Sequence, residues 1–332
     1  MTNFEIGGLS LAPGTHERIE LEVSVLANST RFDLPVHVLH GTKAGPCFFM
    51  SAAIHGDEIQ GVEIIRRVLA SLRGKELCGT VLAVPIVNSF GFLTHSRYMP
   101  DRRDLNRSFP GSDRGSLASL LADLFFSQVV ARSQCGIDYH TAALHRTNLP
   151  QIRLTPHEPE LLELANAFGP RVILTSKLRD GSLRQAASKV GVKVLLYEGG
   201  EALRFDEAAI DAAVQGTLRL MKHLGMIAEA LPLPSHIKPL HSTSSHWLRA
   251  AEGGILHSPR RAGDKVAAGE EVGAITGPLG ENPVPVVAED EGIIIGRTHL
   301  PIVNRGDALF HVARLGAKVK AEQAVPDEDE II

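Results

Sequence analysis

His55 and Glu58 stand three positions apart in His55-Gly56-Asp57-Glu58. An imidazole and a carboxylate brought to one side of a turn are ligand types that suit Zn²⁺ at its ~2 Å bonds. The pair alone is a weak signal, because the chain has 15 histidines and a second His-x-x-Glu occurs at His157 and Glu160. That second pair reads more simply as an acidic helix start with Pro159 in its first turn. His55 differs in ending an apolar run and preceding Gly56, which permits a tight turn. A catalytic zinc needs a third protein ligand and an open position. His140, at the exit of the run Gly136-Ile137-Asp138-Tyr139, is the natural candidate, with Asp138 able to hold its other ring nitrogen. The plainer alternative for His140 is a core histidine satisfied by backbone.

Glu198 ends the apolar run Leu195-Leu196-Tyr197 and is followed by Gly199-Gly200. A carboxylate there is costly unless paired or used. Beside an activated water it can take a proton during attack and return it to a leaving amine. Its neighbour Glu201 reads as solvent-facing or as part of the approach to the next helix. A third group, Arg97, Asp101, Arg102, Arg103, Asp104, Asn106 and Arg107, offers guanidiniums and an amide suited to a substrate carboxylate or a developing oxyanion. Surface ion pairs with Asp101, Asp104 and Asp113 account for the same charges without function. No GxSxG elbow, GxGxxG turn or GxxxxGK[ST] loop occurs, which removes the common nucleophile and nucleotide sites.

The elements that must position these residues alternate along the chain. Residues 31–40 alternate as a strand, and 47–54 form an apolar run of buried-strand length ending at His55. Residues 58–72 have helical apolar spacing, so His55 falls on a strand-to-helix turn. A strand at 80–87 leads into a long polar stretch, 88–116, and loops of that length are usually functional or disordered. Residues 117–131 read as a helix and 136–139 as a short strand. Strands at 151–154, 171–174 and 193–197 then interleave with helices at 159–168, 183–190 and 206–224. This alternation argues for an α/β layered fold with a largely parallel sheet and helices on both faces, whose ligand crevice lies at strand ends. Leu231-Pro232-Leu233-Pro234 reads as a linker, dividing the chain into 1–235 and 236–332. The second part is an all-β domain of short runs punctuated by glycines, and residues 326–330 form an acidic tail.

The chain has 332 residues, 44% hydrophobic and 22% charged, with a formal net charge of -4 and a pI near 6.4. The length suits about two domains, and the charge gives no field for neutralising many phosphates, so no nucleic-acid partner is expected. Cys47, Cys78 and Cys135 are far apart and outside any CxxC pair, which fits a reducing compartment better than a disulfide framework. With neither a secretory start nor a run of the ~20 apolar residues that span a bilayer, the expectation is a cytoplasmic protein without a membrane partner.

Taken in order, His55-Gly56-Asp57-Glu58, Asp104-Leu105-Asn106-Arg107, Asp138-Tyr139-His140-Thr141 and Tyr197-Glu198-Gly199-Gly200 resemble the succinylglutamate desuccinylase/aspartoacylase family, zinc hydrolases related to the M14 carboxypeptidases. The resemblance runs from about residue 34 to 224. It implies a zinc-carboxypeptidase-like mixed sheet and one Zn²⁺ held by His55, Glu58 and His140, with Glu198 as general base and acid. It also implies Asn106 and Arg107 on the substrate carboxylate and Arg97 polarising the scissile carbonyl, with Arg102 and Arg103 as neighbouring alternatives. The commoner His-Gly-Asn-Glu reads His-Gly-Asp-Glu here, a change at a non-ligand position.

Residues 263–273 and 291–294 resemble the biotinyl/lipoyl-type β fold, but where a carrier presents its lysine this chain has Thr276-Gly277-Pro278-Leu279-Gly280-Glu281-Asn282. The expectation is therefore a zinc-dependent hydrolase that removes an acyl group from the nitrogen of a small carboxylate-bearing amide, and homo-oligomerisation stays open. A metallocarboxypeptidase acting on short peptides shares the metal set, and a non-catalytic binding protein using the β domain is the reading from another class.

Overall fold

The computed structural model describes residues 2–228 and 238–315; the linker at 231–234 and the tail at 326–330 lie outside them. A hairpin, β1 (Phe4–Ile6) and β2 (Leu9–Leu11), precedes β3 (His16–Val25) and β4 (Arg31–His40). Then follow β5 (Lys43–Ala52), α1 (Gln60–Leu72), β6 (Cys78–Val84), α2 (Ser89–Thr94), α3 (Leu117–Phe125), β7 (Cys135–Ala142) and β8 (Arg146–Leu154). The α/β part closes with α4 (Pro159–Phe168), β9 (Val172–Thr175), α5 (Leu183–Lys189), β10 (Lys193–Glu201) and α6 (Glu207–His223). The rest is strand: β11 (Leu240–Ser242), β12 (Ser245–Arg249), β13 (Gly254–His257), β14 (Lys265–Val266), β15 (Glu271–Thr276), β16 (Val284–Val287), β17 (Gly292–Thr298), β18 (Ile302–Val303) and β19 (Ala308–Arg314).

A 13-stranded mixed sheet organises the chain. Its centre, β6-β5-β7-β10, is parallel, and antiparallel strands flank it on both sides. The central strands are largely buried on both faces, so their apolar runs are broken mainly where Asp138, His140 and Glu198 stand. One face is covered by α1, α4 and α6, whose Ile64, Val68, Leu161, Phe168, Ile210 and Met221 enter one core with Phe48 and Ile137. Leu121, Phe125 and Ala187 of α3 and α5 pack on the other face with Leu34, Val36 and Phe49. Helices thus lie on both faces, as the alternation predicts. Among the described residues no helix is long and apolar enough to cross a membrane.

Several element ends differ from expectation for local reasons. The helix expected over 117–131 is α-helical to Phe125 and continues as a π turn, Phe126–Val130. The polar stretch 88–116 holds the short helix α2, capped by Asn88, and a 3₁₀ turn, Leu105–Arg107, capped by Asp104. β3 is not among the expected strands, although its burial alternates like that of a flanking strand. β8 starts at Arg146 rather than 151, and pairing continues through Pro150 because that residue takes no rung with β10 or β17.

β8 is also where the sheet forks. Arg146, Thr147 and Asn148 pair with β17, whereas 151–154 pair with β9. The strand path then runs on through β17 and β19 to β12, so C-terminal strands extend the same sheet that carries the central parallel strands. A separate 4-stranded sheet, β16-β15-β13-β18, closes a smaller core around Leu256, Ile275, Ile294 and Phe310.

Candidate active site

β5 stops at Ala52, and the chain turns through His55 before α1 begins. Glu58 N–H donates to His55 O at 3.1 Å, a turn that lays the imidazole and the carboxylate on one side. A Cβ at Gly56 would stand 2.0 Å from the Gly91 carbonyl carbon, so this turn packs backbone against backbone and only glycine fits. Gly56→Ala is expected to cost about 1–3 kcal/mol and to weaken metal retention. A urea midpoint and metal content equal to wild type would show instead that the Gly91 segment can retreat.

The Glu58 carboxylate is the hub of the site. His55 Nδ1 lies 2.7 Å from Oε1, His140 Nδ1 2.7 Å from Oε2, and Thr141 N–H donates to Oε2 at 3.1 Å. All three side chains are buried, and their ligand atoms fall within 4.8 Å of one another. His140 sits inside β7 rather than at its exit; the pairing with β5 ends at Tyr139, while that with β10 continues. Its Nε2–H donates to Asp138 Oδ2 at 2.7 Å, and Ser51 Oγ–H steadies Asp138 Oδ1 at 2.8 Å. A neutral His140 therefore turns its Nδ1 lone pair at a carboxylate oxygen, which is repulsive unless positive charge lies between them. A proton on Nδ1 or a metal ion within the cluster supplies that charge, and two imidazoles with one carboxylate are a donor set that fits Zn²⁺.

The electrostatics agree. Burial alone would lower the His140 pKa, but Asp138 and Glu58 outweigh it and hold it well above the usual imidazole range. His55 is likewise raised against burial by Glu58. Glu58, although buried, is held well below the usual carboxylate range by the two imidazoles.

The long loop delivers Arg97 and not Arg102 or Arg103 to this cluster. Arg97 Nη1 lies 3.6 Å from Glu58 Oε1, and Arg97 Nη2 pairs with Asp104 Oδ2 at 2.8 Å. Arg102 and Arg103 are exposed, and Arg103 pairs with Asp101. Asn106 Oδ1 accepts from Leu183 N–H at 2.9 Å, tying the loop to the start of α5. Asn106 and Arg107 line the same cavity as the cluster.

Glu198 is the register neighbour of His140 on the adjacent parallel strand. It stands just before a bulge rather than at the strand's end, and β10 runs on to Glu201. Asn148 Nδ2–H donates to Glu198 Oε2 at 2.9 Å, and Arg153 Nη1 is 4.0 Å from Oε1. Glu201 is partly buried: its Oε1 accepts from His145 N–H at 2.9 Å, pinning the turn between β7 and β8.

His55, Glu58, His140, Glu198, Arg97, Asn106 and Arg107 thus face one cavity of about 150 Å³. Several other walls carry no local sequence signal. Arg153 and Arg184 are buried beside Glu198; burial, with Arg153 nearby, lowers Arg184 to about 10. Trp247 and His311, stacked with ring centroids 4.7 Å apart, close the cavity from the C-terminal strands. Burial, then Arg153 and His246, push the His311 pKa well below its usual value, so its ring is neutral. Only Arg153 is within reach of sequence reasoning, since a charge inside an apolar strand is as costly there as at Glu198.

With fold and site in place, the chain compares directly with known proteins. The model of the succinylglutamate desuccinylase/aspartoacylase catalytic domain matches residues 44–224, more than half of the chain, and the chain belongs to that family. It is therefore an enzyme of the deacylase class. A curated relative, the N-alpha-acetyl-L-2,4-diaminobutyric acid deacetylase of Halomonas elongata, is 27% identical over 290 residues, covering 82% of this chain and 83% of its own. A succinylglutamate desuccinylase/aspartoacylase from Rhodobacter sphaeroides superposes with a TM-score of 0.79 at 24% identity, covering 91% of this chain and 96% of the other. The product-bound ectoine utilization protein EutE (DoeB) from Ruegeria pomeroyi does so at 0.77 and 21% identity, covering 90% and 95%. At these identities the structural likeness concerns the fold.

Proposed function

We propose that the chain is a zinc-dependent hydrolase that removes the acyl group from the nitrogen of a small N-acylated amino acid or a related carboxylate-bearing amide. The observation that carries this reading is the cavity in which the His55/Glu58/His140 cluster and Glu198 meet a wall of guanidiniums. His55, Glu58 and His140 would hold the zinc. When bound, it supplies a Lewis acid that polarises the acyl carbonyl and makes water nucleophilic at neutral pH. Glu198 takes the proton of the attacking water and delivers it to the leaving nitrogen. Arg97, held on Asp104 next to the cluster, stabilises the developing oxyanion. Arg107 and the Nδ2 of Asn106 grip the substrate carboxylate, since the amide oxygen of Asn106 is committed to Leu183.

The guanidinium-rich lining suits a small substrate bearing a carboxylate, and the test below separates that substrate from a short peptide. The two-part division at 235/236 and the lipoyl-like reading of the second part belong to the same proposal: that part is structural, and Trp247 and His311 limit access to the cavity.

Because the Halomonas elongata relative is a deacetylase of an N-acetylated diamino acid, that compound heads the test panel, with N-succinyl and N-formyl amino acids and short peptides beside it. Free amine should be released from one acyl amino acid, be lost on chelation and return with zinc. Release from peptides alone would install the carboxypeptidase reading. A zinc-loaded protein that releases nothing would sink the deacylase reading in favour of a binding role.

A further inference from the structure

Asn148 stands at the fork of β8, between the strand that carries Glu198 and the strands contributed by the C-terminal part. On one side its Nδ2–H donates to Glu198 Oε2 at 2.9 Å. Toward the other side it is in register with Gly296 of β17. Gly296 is in turn opposite His311 of β19, and His311 is opposite Trp247 of β12. One cross-strand row therefore runs from the partner of Glu198 to the aromatic wall of the cavity.

Gly296 is the narrow point of that row. A Cβ built on it would stand 2.9 Å from Asn148 Oδ1 and 3.4 Å from the His311 Cβ. The amide of Asn148 occupies the space that any larger residue would fill. Asn148 is 8% exposed, so its amide has little water to turn to. Flipping the amide would point Oδ1 at the Glu198 carboxylate and replace an attraction with a repulsion. The donor therefore stays on Oε2, which leaves Oε1, with Arg153 Nη1 4.0 Å away, as the oxygen to exchange a proton.

We propose that Asn148, seated against Gly296 of β17, is a positioning residue that orients the Glu198 carboxylate so that Oε1 serves the reaction. The proposal rests on the proton-carrying role given to Glu198 above and extends it to a residue and a strand outside the reacting groups. It assigns the C-terminal part a task in turnover, since β17 supplies the surface that holds the amide.

The test uses the full-length, zinc-loaded chain and the substrate that the panel identifies. Asn148→Leu keeps the volume and removes the donor. It is expected to lower kcat about 10- to 100-fold and to leave KM within about 3-fold, with zinc content unchanged. Gly296→Ala pushes on the amide from the far side without touching substrate, and is expected to lower kcat about 3- to 10-fold with the same KM pattern. A residue that only fills space would not give this split between kcat and KM. If Asn148→Leu does not fold, Gly296→Ala decides alone. Wild-type kcat in whichever variant decides, or a loss carried by KM only, overturns the proposal while leaving the deacylase reading intact. A zinc-loaded wild type without turnover removes both, so the two failures are distinguishable.

Discussion

Glu198→Gln is expected to lower kcat about 100- to 10,000-fold, the range over which a positioned acid–base group contributes, with metal content unchanged. The substitution is nearly isosteric, and its amide oxygen can still accept from Asn148 Nδ2, which lies 2.9 Å from Glu198 Oε2 in the native site. What it loses is the ionisable carboxyl that the proposed mechanism uses to take a proton from water and return it to the leaving nitrogen. KM should move little, because the guanidiniums and Asn106 remain. Steady-state kinetics and metal analysis on the same preparation check this. A variant that keeps more than about a tenth of wild-type kcat would move the acid–base role away from this residue, and one that loses metal as well would make Glu198 part of the metal site.

Glu58→Ala should act on a different quantity, taking bound metal from about one per chain to a small fraction and activity to background. Both carboxylate oxygens of Glu58 face an imidazole nitrogen at 2.7 Å, so its removal takes away the anion that the two histidines share. The expected signature includes stability: a metal that binds only the folded chain raises its melting temperature. Added zinc should therefore raise Tm in the wild type and leave Glu58→Ala unmoved. Full metal content in the variant would mean that the cluster is not where the metal sits.

Residues whose chemistry is announced locally are legible in the amino-acid sequence. His55 and Glu58 share one turn, and His140 and Glu198 interrupt apolar runs where a polar group has to be paired or used. The central strands are legible for a related reason, since double burial leaves apolar runs in which those few polar residues stand out. Residues brought in by pairing are not. Pro150 disguises the first half of β8 and with it Asn148. Trp247 and His311 reach the cavity through the rungs linking β12, β19 and β17 to β8, which no spacing within the chain encodes. Arg97 is set apart from Arg102 and Arg103 by its ion pair with Asp104 and its approach to Glu58, both made by the fold of the loop.

The fork in β8 also orders events during synthesis. Arg146, Thr147 and Asn148 take β17 as their partner on one side, and β17 follows them far later in the chain. Until β17 is made, a nascent chain carries His55, Glu58, His140 and Glu198 but has an open strand edge at Asn148. Such edges invite pairing with other chains, and contacts between distant segments form slowly. A chain cut before β17 is therefore expected to retain the cluster residues without the strand that pairs with Asn148, and to expose the β8 edge to aggregation.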